Sequence, residues 1–237
     1  MKNIIFKANT RGHVDHGWLD TYHTFSFADY YDLNRIRFGA LRVVNDDIVL
    51  GGEGFGTHPH DNMEIVSIPL FGALEHRDSM GNHGVIRKGE VQVMSAGTGV
   101  RHSEFNAHEE DPVNFFQIWI FPNEEDVMPR YQQMKFDIEG NRNNLVQIVS
   151  PNKNGDGLWI HQDAYLYLGI FDKDKAIDFF MKDGDNGLFV MVIEGKFSLE
   201  GHSLDRRDAI GIWDTHEIKI KAESDNARIL LIEVPMK

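Results

Sequence analysis

The chain reads as an all-β protein built from two similar modules, and three observations carry that reading. Short apolar and β-branched runs recur along its whole length. Turns rich in Gly, Asn and Asp separate them. One stretch of the first half is also echoed in the second.

The first-half runs are ALRVV (40–44), MEIVSIPL (63–70), ALEHRDS (73–79), EVQVM (90–94) and FFQIWIF (115–121). The second half continues with LVQIVS (145–150), AYLYLGIF (164–171), LFVMVI (188–193), KFSLE (196–200), AIGIW (209–213), EIKIKA (217–222) and ARILLIEV (227–234). SMGNHG, KGE, NKNGDG and KDGDNG lie between them as turns. Short strands at roughly 8–12-residue spacing predict a sandwich or barrel. The echo pairs IPLFGALEHRDS…RKGEVQVMS with VIEGKFSLEG…DRRDAIGIW: strand, Gly turn, strand, polar turn, apolar strand. The one helical candidate is EEDVMPRYQQM (124–134), which Pro129 limits to a few turns. Polar sequence containing EGNRNN marks the boundary, giving modules 1–135 and 136–237.

Composition narrows the function. With 24 Lys and Arg against 37 Asp and Glu, a net charge of −13 opposes direct nucleic-acid binding, which draws its affinity from neutralised phosphates. An uncharged aromatic substrate or a protein partner suits this surface better than a polyanion. There is no cysteine, so disulfides, thiolate-bound zinc and thiol nucleophiles are excluded. No apolar stretch approaches the ~20 residues of a membrane helix, and the N-terminal apolar run is too short for a signal core. A cytoplasmic protein without membrane contact is expected.

Two segments carry the chemistry: His58-Pro-His60 and His102-Ser-Glu104. Six of the twelve histidines fall between His58 and His108. On a strand, side chains at i and i+2 share a face about 6–7 Å apart. Two such strands side by side would aim three imidazoles and one carboxylate at a single point. That donor set suits a borderline divalent ion and leaves coordination positions open, as a catalytic centre requires. Glu64 has the same parity as His58 and His60, so spacing alone leaves it as a competing carboxylate. GFG and SAGTGV open no amphipathic helix, so phosphate cradling is not expected.

The motif residues resemble the cupin superfamily: Gly52, five residues, His58-x-His60, three residues, Glu64, then Gly72 one residue later than usual. A looser second motif runs from Gly89 to His102 and, after three intervening residues, Asn106. Within that superfamily GFGTHPHDNMEIVS, DSMGNHG, SAGTGVRHSE and HGWLDTYHTFSFADYYD resemble the pirin family, and bacterial pirin-like quercetin 2,3-dioxygenases most closely. The resemblance implies a bicupin, two tandem β-barrels, with a metal-binding first barrel and a degenerate second one. It implies the ligands His58, His60, His102 and Glu104, favouring Glu104 over Glu64, which is left to orient a ligand histidine. It implies one divalent ion, Fe(II) before Zn, Co, Ni or Cu. The activity implied is opening of a flavonol heterocycle by dioxygen with release of carbon monoxide, Glu104 acting as general base. The alternatives are a non-catalytic regulatory metalloprotein working through protein partners, and a zinc isomerase or hydrolase.

Other residues are expected to be structural. His202 and His216 are isolated, leaving the second module without metal. His76 reads as a strand-surface histidine, with a pocket acid–base role as the alternative. His13, His16 and His23 are expected to pack the N-terminal arm, and Glu109–Glu110–Asp111 to be a solvated loop. Trp18, Phe25, Phe27, Tyr30 and Tyr31 serve either a pocket or barrel-end packing.

Overall fold

The computed structural model describes residues 1–237, and apart from one turn of 3-10 helix, Ala8–Thr10, its elements are strands. Every run named above lies on a strand, for example Leu41–Val49, Glu64–Phe71, Val113–Ile120 and Ala227–Pro235. They fold into two barrels, each a seven-stranded sheet facing a four-stranded one. In the first barrel the large sheet runs Arg130–Lys135, Glu90–Ser95, Glu64–Phe71, Val113–Ile120, Leu41–Val49, Leu19–His23, Gly12–Asp15. Its small sheet runs Gly54–His60, Val100–Asn106, Ala73–Asp78, His83–Arg87.

The second barrel repeats this order. Its large sheet is Lys2–Phe6, Ala209–Trp213, Asn186–Glu194, Ala227–Pro235, Tyr165–Phe171, Leu145–Ser150, Leu158–Trp159. Its small sheet is Ala176–Phe180, Glu217–Ala222, Phe197–Leu199, His202–Leu204. The echo in sequence is therefore an echo in structure. Even the hinge glycines match: Gly72 and Gly195 turn the chain between sheets at φ 75° and 78°, a region costly for other residues.

The helical expectation at 124–134 fails. Arg130–Lys135 is an edge strand pairing with Glu90–Ser95, because Pro129 blocks helix and the open sheet edge supplies backbone partners. Lys2–Phe6 leaves the rest of the first 135 residues and pairs with Ala209–Trp213, closing the other barrel's large sheet. The two edge strands hold matching places in the two sheets.

Alternation assigns each face of the large sheets. Val66, Ile68, Phe116 and Ile118 of one pack with Phe189, Met191, Leu230 and Ile232 of the other in the largest core cluster. The barrels thus sit back to back. A buried ion pair crosses this join: the Arg207 Nε donates to Asp46 Oδ2 at 2.8 Å, and Nη2 donates to Asn114 Oδ1 at 3.1 Å. The opposite faces of the large sheets line the barrel interiors, where the two modules differ.

Candidate metal centre

His58 and His60 lie on Gly54–His60, which pairs antiparallel with Val100–Asn106 and sets His58 opposite His102. Burial alternates along Val100–Asn106, with Val100, His102, Glu104 and Asn106 inward. The i, i+2 pairs therefore converge as their spacing predicts. The rings gather at centroid distances of 4.9 Å (His58–His60), 4.4 Å (His58–His102) and 4.8 Å (His60–His102). Each offers a ligand nitrogen within 4.8 Å of the others.

These donors fit a divalent ion. His60 Nε2 and His102 Nε2 stand 3.0 Å apart. Metal–nitrogen bonds of about 2.1 Å at a right angle would place two donors about 3.0 Å apart. The His58 Nδ1 hydrogen donates to the Gly56 carbonyl at 2.8 Å, leaving Nε2 free as a lone-pair donor. Burial lowers the pKa of His60 to about 4 and that of His102 to about 3, each reinforced by neighbouring histidines. Both rings are neutral at physiological pH, as ligation requires.

Glu104 is buried beside them. Gln117 Nε2 donates to its Oε2 at 2.7 Å, and the Ser67 hydroxyl lies 3.1 Å from its Oε1. Its ligand oxygen clusters with those of His76 and His102 rather than within the tight imidazole trio, while it lines the same cavity as His58 and His60.

Glu64 faces away. It lies on the interdomain side of its sheet, accepts a 2.7 Å hydrogen bond from Ser95 Oγ, and is near Arg130 and His161. Burial pushes its pKa up to about 7. The parity shared with His60 means nothing here, because the chain turns at 61–63 and enters a different strand. Glu64 therefore does not orient a ligand histidine.

His76 corrects the surface expectation: it is fully buried. Gly72 moves the chain from the large to the small sheet, resetting the alternation on which that expectation rested. The His76 ring stacks on Tyr131 at 4.7 Å and lies opposite Glu104 in the strand pairing.

The cavity above the histidines measures about 320 Å³. Trp18, Phe27, Phe55 and Trp119 give it apolar walls, while Thr21, His23, Asn45, Asp47 and Gln117 make a polar side. Trp119 stands edge-on to His60 at 4.9 Å. Of the aromatics singled out in sequence, Phe25 is buried between the sheets, Tyr30 packs near His23 and Tyr31 is exposed. His13 stacks on Tyr22 at 4.4 Å, whereas His16 and His23 reach the cavity. Glu109, Glu110 and Asp111 are exposed. A larger cavity of about 820 Å³ opens between the barrels, lined by residues such as Leu70, Phe136 and Ile170 and by no histidine.

Sequence reasoning overlooked Ser67, Gln117, Asn45 and Asp47. Strand register joins Ser67 to Gln117 and Gln117 to Asn45 in one inward row, with Asp47 two residues further along. Burial raises the Asp47 carboxyl to about 7, aided by Asp46 and Glu104 and partly offset by a Thr21 hydrogen bond. The signal was present: polar residues at inward parity in otherwise apolar strands.

Two back-to-back barrels, one of them holding a histidine cluster that could take a metal, define a bicupin. The chain belongs to the pirin family. Residues 6–120 match Pirin, and residues 147–234 match the quercetinase C-terminal cupin domain. It is 44% identical over 230 residues, 97% of both chains, to a quercetin 2,3-dioxygenase of Escherichia coli. A pirin-like protein of Caulobacter vibrioides is 38% identical over 223 residues, 94% of this chain and 95% of that one. Among solved structures, YhhW from Escherichia coli superposes with a TM-score of 0.94 at 43% identity, covering 99% of this chain and 98% of that one. The structure of bacterial pirin YhhW in complex with nickel(II) gives 0.93 at 42% identity, covering 99% of each.

Proposed function

We propose that this chain binds one divalent metal ion through His58, His60, His102 and Glu104 and opens the heterocycle of flavonols such as quercetin with dioxygen. The net reaction converts flavonol and dioxygen into a depside and carbon monoxide. The observation that carries the reading is the gathering of three imidazoles, with the buried Glu104 carboxylate beside them, at an aromatic-walled cavity. The quercetin 2,3-dioxygenase name of a relative 44% identical supports it, and the nickel(II) complex of a relative supports a metal there. Fe(II) heads the candidates, with Ni, Co, Cu and Zn compatible with the same donors.

When bound, the ion would supply Lewis acidity that lowers the pKa of a coordinated hydroxyl and orients the substrate. The chain's own residues supply the rest. Glu104 accepts the proton of the flavonol 3-hydroxyl, its orientation held by Gln117 and Ser67. Trp18, Phe27, Phe55 and Trp119 sandwich a planar substrate and keep water from the reacting ring. At about 320 Å³ the cavity lies at the low end of small-molecule sites.

The test is carbon monoxide release from quercetin under air by protein reconstituted with each ion in turn. Carbon monoxide production that is lost in Glu104→Gln supports the reading. Full metal occupancy with no carbon monoxide from any ion would favour the regulatory metalloprotein instead.

A further inference from the structure

Behind His102 lies a buried chain of polar atoms that the ligand assignment does not use. His76 Nε2 is 3.1 Å from Asp78 Oδ2, and His76 Nδ1 is 3.4 Å from His102 Nδ1, at the long end for a hydrogen bond. On its other side, His102 Nε2 faces His60 Nε2. The side chains of His76 and Asp78 are 0% exposed, so no water intervenes from bulk.

The hydrogens along this chain can be assigned by elimination. Asp78 is itself pinned: Oδ1 accepts from the Met80 and Asn82 backbone N–H groups at 2.9 and 3.0 Å, and Asn82 Nδ2 donates to Oδ2 at 2.9 Å. Both Asp78 oxygens thus serve as acceptors, so the His76 hydrogen facing Oδ2 sits on Nε2. The His76 Nδ1 is then a lone pair and must accept, so the His102 hydrogen sits on Nδ1. That leaves His102 Nε2 bare and aimed at His60 Nε2.

We propose that Asp78 and His76 are positioning residues that fix the tautomer and ring orientation of His102, so that it presents Nε2 to the metal. The proposal rests on His102 being a ligand. It extends the usual carboxylate–imidazole support of a metal ligand by one further imidazole. Tyr131 completes it by stacking on the His76 ring, its hydroxyl bonded to Gln133 Oε1 at 2.9 Å and thus turned away from the relay.

Two measurements test it. Long-range 1H–15N spectra of the metal-free wild-type protein should show hydrogen on His102 Nδ1 and on His76 Nε2, with His102 Nε2 bare. Hydrogen on His102 Nε2, or on His76 Nδ1, overturns the proposal, and this readout needs no variant to fold. His76→Phe keeps the stack on Tyr131 but removes both nitrogens. It should weaken nickel(II) affinity, measured by chelator competition, by about 10–100-fold, while Asp78→Asn shows a smaller loss. Wild-type affinity in a folded His76→Phe, together with complete metal loss in His102→Ala, would refute the relay and leave the ligand assignment standing. Full nickel(II) affinity in His102→Ala would instead overturn the assignment itself, and the relay's purpose with it.

Discussion

The two barrels share one strand order but fill their interiors in opposite ways. In the first, His58 stands opposite His102 across the Gly54–His60 and Val100–Asn106 pair. In the second, the corresponding strands Ala176–Phe180 and Glu217–Ala222 set Phe179 opposite Ile218 and Ile177 opposite Ile220. Phe179, Ile218 and Ile220 join Phe171, Phe197 and Leu231 in a closed apolar cluster. A barrel interior is satisfied either by close apolar packing or by polar groups that all find partners. The second barrel takes the first solution. The first barrel keeps polar side chains inside: Gln117 and Ser67 bond Glu104 and Asn45 bonds His23, while Gln92 beside Ser67 is left without a partner. The scaffold is therefore indifferent to chemistry, and a few inward positions decide it.

The comparison breaks most completely at the histidines. Alanine at His58, His60 or His102 should abolish stoichiometric metal and bring carbon monoxide release to background while circular dichroism still reports a folded β protein. Full occupancy in any of these variants would remove the basis for contrasting the barrels.

The mirror experiment falls on the apolar interior. Phe179→Ala should cost about 3–5 kcal/mol in urea unfolding, because it leaves a cavity where no rearrangement can fill it. Its metal content should equal that of the wild type. A cost below about 1 kcal/mol would show that the second barrel does not depend on its packing.

Acid should act on the metal-free first barrel. Burial lowers the pKa values of His60 and His102 to about 4 and 3, below the free histidine value of about 6.5. Their neutral forms therefore contribute stability fully above about pH 6.5, and the contribution is lost as pH falls through about 4 and 3. Thermal melts of the metal-free protein should drop over this window, less steeply in His102→Gln. Equal slopes in the two proteins would refute the assignment of that loss to His102.

The smallest effect concerns Glu64, whose carboxyl is raised from 4.5 to about 7 by burial. A raised carboxyl stabilises the fold in its protonated form, fully below about pH 4.5, and the advantage fades as pH climbs through about 7. Glu64→Gln should match the wild type at pH 4.5 and melt a few degrees higher at pH 8, with metal content unchanged. Lost metal in this variant, with Glu104→Gln unaffected, would make Glu64 the ligand after all.

Much of this was legible in the residues. Period-two alternation and Gly turns locate the strands of LRVV, EIVSIPL and RILLIEV. Parity pairs His58 with His60 and His102 with Glu104, because pleating alone puts i and i+2 on one face, whereas the preference for Glu104 over Glu64 rests on the family resemblance. The edge strands Lys2–Phe6 and His83–Arg87 escaped notice, and Arg130–Lys135 falls largely in the stretch expected to be helical. An exposed edge carries little apolar pattern, and its identity as a strand comes from the neighbour it pairs with. Parity also could not be carried through a turn. Gly72 reset it for His76, and residues 61–63 reset it for Glu64. Only the register of separate strands shows that His76 lies behind His102 and that Glu64 faces the other barrel. Local spacing determines which side chains share a face, because that is a property of one strand's pleat. Which faces meet, and so which carboxylate and which second imidazole stand beside the ligands, depends on contacts far apart in sequence, and those only the tertiary structure decides.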